Sequence, residues 1–71
     1  MNVHWRVSYV DHFGDDQEDR ENDNGEILED SVMARDHAEW LVDTGKTTQA
    51  FVEKVKVTVE VWVLEEIVAV P

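Results

Sequence analysis

Ten carboxylates lie between Asp11 and Asp30, and the stretch GDDQEDRENDNGE at residues 14–26 contains no large apolar side chain. Clustered carboxylates can ligate a hard cation, above all Ca²⁺. An EF-hand loop places oxygen donors at its first, third and fifth positions, glycine at the sixth and glutamate at the twelfth. With Gly25 as the sixth residue, the first would be Arg20 and the twelfth Ser31, so the register fails. What is left is a weak, irregular cation site, and no metal ligands are assigned. His4, His12 and His37 lack the two-histidine helical spacing of zinc enzymes, and the absence of cysteine removes thiolate ligands, cysteine nucleophiles and disulfides together.

Nucleophilic catalysis requires a serine or threonine on which a base and an orienting acid converge, usually at a strained turn with amide donors nearby. Ser8 falls in a strand pattern and Ser31 at a helix start, neither among glycines, and the three glycines of the chain form no phosphate-cradling loop. A 71-residue chain has little volume to spare for a pocket of several hundred cubic ångströms. The expectation is a non-catalytic protein without a cofactor.

The remaining use of the carboxylates is contact with a partner. Of the formal net charge of −11, the segment from Asp11 to Asp30 carries −9 (ten acids against Arg20), leaving −2 for the other 51 residues. Lys and Arg displacing counterions drive phosphate binding, so direct contact with nucleic acid or anionic lipid is disfavoured. A basic surface on another protein fits better, with Asp15, Asp16, Glu18, Asp19, Glu21 and Asp23 as the presenting residues. The bland alternative is a solvated loop that only aids solubility.

These residues must be held by a small body. Val3, Trp5, Val7 and Tyr9 alternate with polar neighbours, which is the period of a half-buried strand. Residues 11–26 have neither strand nor helix periodicity and read as a loop or a partly disordered excursion, with a turn at Asn24-Gly25 and a short returning strand at Ile27-Leu28. Asp30 or Ser31 can cap a helix over about residues 31–44, whose Ala34, Ala38, Leu41 and Val42, flanked by Met33 and Trp40, form an apolar stripe ending at Gly45. His37 borders that stripe.

Val55, Val57, Val59, Val61 and Val63 share one parity and predict a long strand over about residues 51–64. At about 3.3 Å per residue it would run to about 46 Å, so it must bend, bulge or project past its sheet. The helix stripe is expected to pack on the valine face, and if the first and last strands are parallel neighbours the crossover is right-handed. The closing IVAV before Pro71 can resume as an edge segment. The expected fold is a single α+β domain of β(β)αβ order, one helix on one face of a two- or three-stranded sheet.

Trp5 and Trp40 belong to the apolar parities and are expected in the core. Trp62 and Leu64 lie on the parity opposite the valines, which one helix cannot also cover, so they are assigned to an oligomer interface, most simply a dimer. Self-association would also relieve the marginal stability of so short a chain. MNVHWRVSYV has no basic segment followed by an apolar block, and no apolar run approaches the roughly 20 residues of a bilayer span, so a soluble cytoplasmic protein is expected.

In layout, with HWRVSYVDHFGDD opening, SVMARDHAEWLVDTG as the helix and a valine-rich last strand, the chain resembles small orphan proteins of bacteriophages, particularly those of actinobacteria. Small acidic phage proteins include inhibitors of host restriction, CRISPR or transcription machinery, so the resemblance implies a host protein as partner and the host cytoplasm as its place. The reading is an acidic interaction module that engages or inhibits a basic, nucleic-acid-binding host protein. The alternatives are an assembly protein acting through its own oligomer and a weak cation-binding module.

Overall fold

The computed structural model describes residues 3–56 and 60–69. Strand β1 (Val3–Val10) is followed by β2 (Asp16–Asp19), helix α1 (Ser31–Asp43), β3 (Gln49–Lys56) and β4 (Glu60–Val68), and the sheet order is β2-β1-β3-β4 with every neighbour antiparallel. This is the expected α+β arrangement of one helix on one face of a sheet. The sheet has four strands where two or three were expected, because the segment expected as one long strand folds back on itself as β3 and β4. The expected strand positions Val57 and Val59, and Val70 of the closing segment, lie outside the described residues.

The helix forms where its caps and stripe place it. The Asp30 side chain accepts from the Met33 amide at 2.9 Å. At the other end the Lys46 and Gly45 amides close back on the Leu41 and Val42 carbonyls at 2.9 and 3.1 Å, a pairing that needs the positive φ of Gly45 (75°). Ala34, Ala38 and Leu41 are buried, as expected, and so is His37.

The alanines decide how closely α1 approaches. Ala34 and Ala38 on the helix meet Ala50 and Val52 of β3 and Val7 of β1, so little side chain separates helix from sheet. Trp5, Tyr9, Met33, Trp40, Val42 and Ile67 close around this centre and are partly buried. Trp5 and Trp40 are therefore at the core, as expected.

The covered face differs from the expected one. Val7 pairs with Val52 and Tyr9 with Ala50, so the helix lies over the even residues of β3, while Val55 sits on the opposite, open face with its neighbour Val61. In β4 a bulge re-sorts the residues as well. Val52 opposes Glu65 but Glu53 opposes Val63, leaving Leu64 as an extra residue in β4. The extra residue reverses the parity of β4, so that Ile67 packs inward under the helix while Val61 and Val63 face away.

The acidic segment is also more ordered than its composition suggests. The Asp11 side chain accepts from the amides of Phe13 and Asp15 (2.9 and 3.0 Å) and from Gln17 Nε2 (2.9 Å). Asn22 Oδ1 likewise takes the amides of Asn24 and Glu26, and the turn at Asn24-Gly25 closes with Gly25 donating to the Asn22 carbonyl at 3.0 Å. Between these turns lies β2, wholly polar and paired to β1. The expected returning strand at Ile27-Leu28 reduces to a single bridge, Glu21 with Ile27; Ile27 is exposed, and Leu28 enters the core at 2% exposure.

Candidate functional site

Strand alternation sorts the carboxylates of β2. Ser8 opposes Glu18 and Val10 opposes Asp16, placing both acids on the open face of the sheet; Tyr9 opposes Gln17 and Val7 opposes Asp19, placing those two on the helix side. The six acids expected to present themselves to a partner are therefore not equivalent. Asp15, Asp16, Glu18, Glu21 and Asp23 are exposed, whereas Asp19 turns inward.

Asp19 Oδ2 lies 2.8 Å from His37 Nε2, and the Tyr9 hydroxyl stands 3.5 Å from Oδ1, at the outer limit of a hydrogen bond. His37 is 4% exposed and stacks on Trp40 with ring centroids 5.7 Å apart. Its Nδ1 has no hydrogen-bond partner among the described residues. The pair staples β2 to α1, so Asp19 positions the acidic strand and is withdrawn from the presenting set. Burial and the neighbouring Asp19 carboxylate raise the Tyr9 phenol above its usual 10.0.

On the open face a second staple holds the same strand. Arg6 reaches Glu18 through Nη1 and Glu53 through Nε, the latter at 2.7 Å, and the Ser8 hydroxyl donates to the same Glu53 oxygen. Glu53 is 8% exposed, so its charge is compensated by a guanidinium and a hydroxyl rather than by water. Sequence reasoning missed this triad. Its signal was an arginine on the polar parity of one strand and a lone acid in AFVEKV of another, which become informative only when the register puts Arg6 opposite Glu53.

Above this floor is a cleft of about 470 Å³, a volume that a chain of this length was not expected to hold. Arg6, Ser8, Val10 and Phe51 form its base, Asp16 and Glu18 one wall, and Asp11 and His12 its rim with Thr47 to Gln49 beyond. His12 donates through Nε2 to the Gly45 carbonyl, tying the rim to the end of α1, and the buried Thr47 hydroxyl donates to the Val10 carbonyl at 2.9 Å. Phe51 is half-buried and presents a ring beside carboxylates whose open-face positions the strand pairing sets. Such a site accommodates an apolar stem with a cationic head.

Three groups near the cleft are tuned by their surroundings. The amides of Asp15 and Phe13 and the Gln17 amide group hold the Asp11 carboxyl below its usual 3.8, the Asp15 contribution being the largest. Desolvation, then Arg20 and Arg6, push His4 below its usual 6.5 against a smaller opposing pull from Glu18. Tyr9 is raised, as described. For Asp11 the sign is that of a depressed acid: its contribution to stability is full above 3.8 and is lost as pH falls through the lower folded value. A carboxyl-carbon NMR titration should place the Asp11 midpoint below 3.8, with the Phe13 and Asp15 amide resonances moving in the same step. A midpoint at or above 3.8 would show that the turn does not hold the carboxylate.

Trp62 and Leu64 stand on the edge strand, away from the cleft. Trp62 pairs with Lys54, on the same side as Trp5, whose ring lies 5.5 Å from the Lys54 ammonium; Leu64 occupies the bulge. Among the described residues no three His, Asp or Glu side chains converge as metal ligands, and no helix is long and apolar enough to cross a membrane. No protein-family model matches the chain, and neither a curated protein nor a solved structure matches it significantly.

Proposed function

We propose that this protein is a non-catalytic interaction module that takes a lysine or arginine side chain of a basic partner protein into the cleft on the open face of its sheet. The observation that carries this reading is the placement of Asp16 and Glu18 on the same face as the Phe51 ring, beside a floor whose only guanidinium, Arg6, is already engaged by two acids. A partner's aliphatic stem would lie on Phe51 and Val10 and its head on the two carboxylates. Asp15, Glu21 and Asp23, exposed elsewhere on the acidic segment, would add long-range attraction and speed the encounter. The resemblance to phage proteins adds the proposal that the partner is a host protein, met in the host cytoplasm.

The test uses N-acetyl-arginine amide as a defined probe, followed by amide NMR at about 0.01 M ionic strength, where screening is weakest. Shifts are expected to cluster at Ser8, Asp16, Glu18 and Phe51, and to shrink at least about tenfold in affinity in Asp16→Asn/Phe51→Ala, a loss of about 1.4 kcal/mol or more. Glu60→Gln, which removes one charge from β4, should leave binding unchanged. If Glu60→Gln weakens binding as much, or shifts scatter over every exposed acid, the chain attracts cations only through its net charge and the cleft has no such role.

A further inference from the structure

At the opposite edge of the sheet the chain presents four consecutive large apolar residues. Val61, Trp62, Val63 and Leu64 are 42, 42, 58 and 49% exposed, and they lie on β4, which pairs with β3 along one side and with no strand of the described residues along the other. Residues that alternate between faces are all exposed only when neither face is covered and the strand is at an edge. An edge of this length and apolarity is a template for a further strand.

We infer that the strand it takes is β4 of a second copy of this chain, antiparallel about a two-fold axis at Trp62, joining two four-stranded sheets into one of eight. The charges of β4, which are Glu60, Glu65 and Glu66, narrow the register. An axis at Val63 sets Glu60 opposite Glu66, twice over by symmetry, and an axis at Leu64 sets Trp62 opposite Glu66 and Val63 opposite Glu65. Like charges directly opposite are destabilising. An axis at Trp62 pairs Trp62 with itself, Val61 with Val63 and Glu60 with Leu64, with no acid facing an acid. The bulge at Leu64 ends regular pairing where this register ends.

Global charge points to the same edge. In the order β2-β1-β3-β4 the acidic strand is three strands from β4, about 14 Å at the usual spacing, so joining two copies through β4 leaves the two β2 strands at the far ends, about 34 Å apart. That is several Debye lengths at physiological salt. Pairing through β2 would bring Asp16 to Asp19 of both copies together, and pairing β4 to β2 would set acids near Glu65 and Glu66 while leaving both ends open to further addition. The β4 contact alone is closed and free of acid-to-acid pairs. Five residues of each copy make a contact at the small end of specific interfaces, so dimerisation is expected to depend on concentration. It is independent of the cleft, which lies across the sheet.

The chain has no cysteine, so a single introduced one reports the register. In Trp62→Cys two thiols face each other across the axis, and mild oxidation should link the copies; Leu64→Cys, opposite Glu60, should stay unlinked, as should Val63→Cys. Sedimentation of the wild-type chain should show the mass rising from 8.2 kDa towards twice that value with concentration. Trp62→Lys should weaken the dimer at least about tenfold. A wild-type chain monomeric up to about 1 mM overturns the dimer. A link that forms in Val63→Cys but not in Trp62→Cys overturns the register, and with it the proposal.

Discussion

Replacing Arg6 by alanine is expected to cost about 3 kcal/mol, the loss typical when one partner of a buried pair is removed and the other charge is left behind. In this chain the charge left behind is Glu53, 8% exposed on a central strand, with the Ser8 hydroxyl alone among the described residues still donating to it. Glu18 would lose its cation too and be freed towards solvent. A domain of this length has a total stability of roughly 5 kcal/mol, so the variant should be largely destabilised at room temperature in modest denaturant. The double replacement Arg6→Met/Glu53→Leu removes both charges and fills their volume, and it should recover most of the loss. Urea unfolding of Arg6→Met, Glu53→Leu and the double gives the coupling energy directly. Additive losses would show that the pair is a solvated surface contact and that the floor of the cleft is held by backbone pairing alone.

Leu28→Ala is expected to cost about 2–4 kcal/mol, as for other fully buried leucines truncated in a packed core. Leu28 is the largest wholly buried side chain outside the regular elements, packed with Val7 and Val52, and its amide donates to the Arg20 carbonyl at 2.9 Å. The core it occupies is small, seven residues of which three are alanine, and alanines offer no bulk with which to collapse into the space. The change should have a second, local signature. Leu28 closes the excursion that begins at Asp11, so hydrogen exchange should accelerate at the bonded amides of Asn22 and Leu28 before it does in β1 and β3. Uniform acceleration across the sheet would mean that Leu28 contributes to global stability without anchoring the acidic segment.

The helix and β1 were legible because each is specified by local terms. Asp30, the three- and four-residue spacing from Ala34 to Leu41 and the stop at Gly45 depend only on neighbours within a turn, and the alternation from Val3 to Tyr9 only on strand pleat. β2 was not legible, since Asp-Gln-Glu-Asp is disfavoured in strands and carries no apolar parity. It is a strand because β1 offers an edge and because Arg6 and His37, both distant in sequence, take Glu18 and Asp19 on opposite faces. The long valine run was legible as strand but not as two strands, since a period of two is the same in one extended strand and in a hairpin. Of the six acids read as a contact surface, five are exposed, and Asp19 turns inward and is half-buried, because pairing of an acid with a histidine from a helix leaves no local mark.

By itself the sequence determined what depends on chemistry and short-range order: a chain of net charge −11 with its negative charge concentrated in one segment, no thiol, one capped amphipathic helix and strands rich in β-branched residues. Tertiary structure decided which face of the sheet the helix covers, through Val7, Ala50 and Val52, and which residues of β4 lie on that face, through one extra residue at Leu64 that reverses the parity of β4. It also decided that Asp16 and Glu18 share a face with Phe51 while Asp19 does not. Both follow from strand register, which is a relation between segments: shifting a pairing by one residue moves every side chain to the other face and leaves composition and periodicity unchanged.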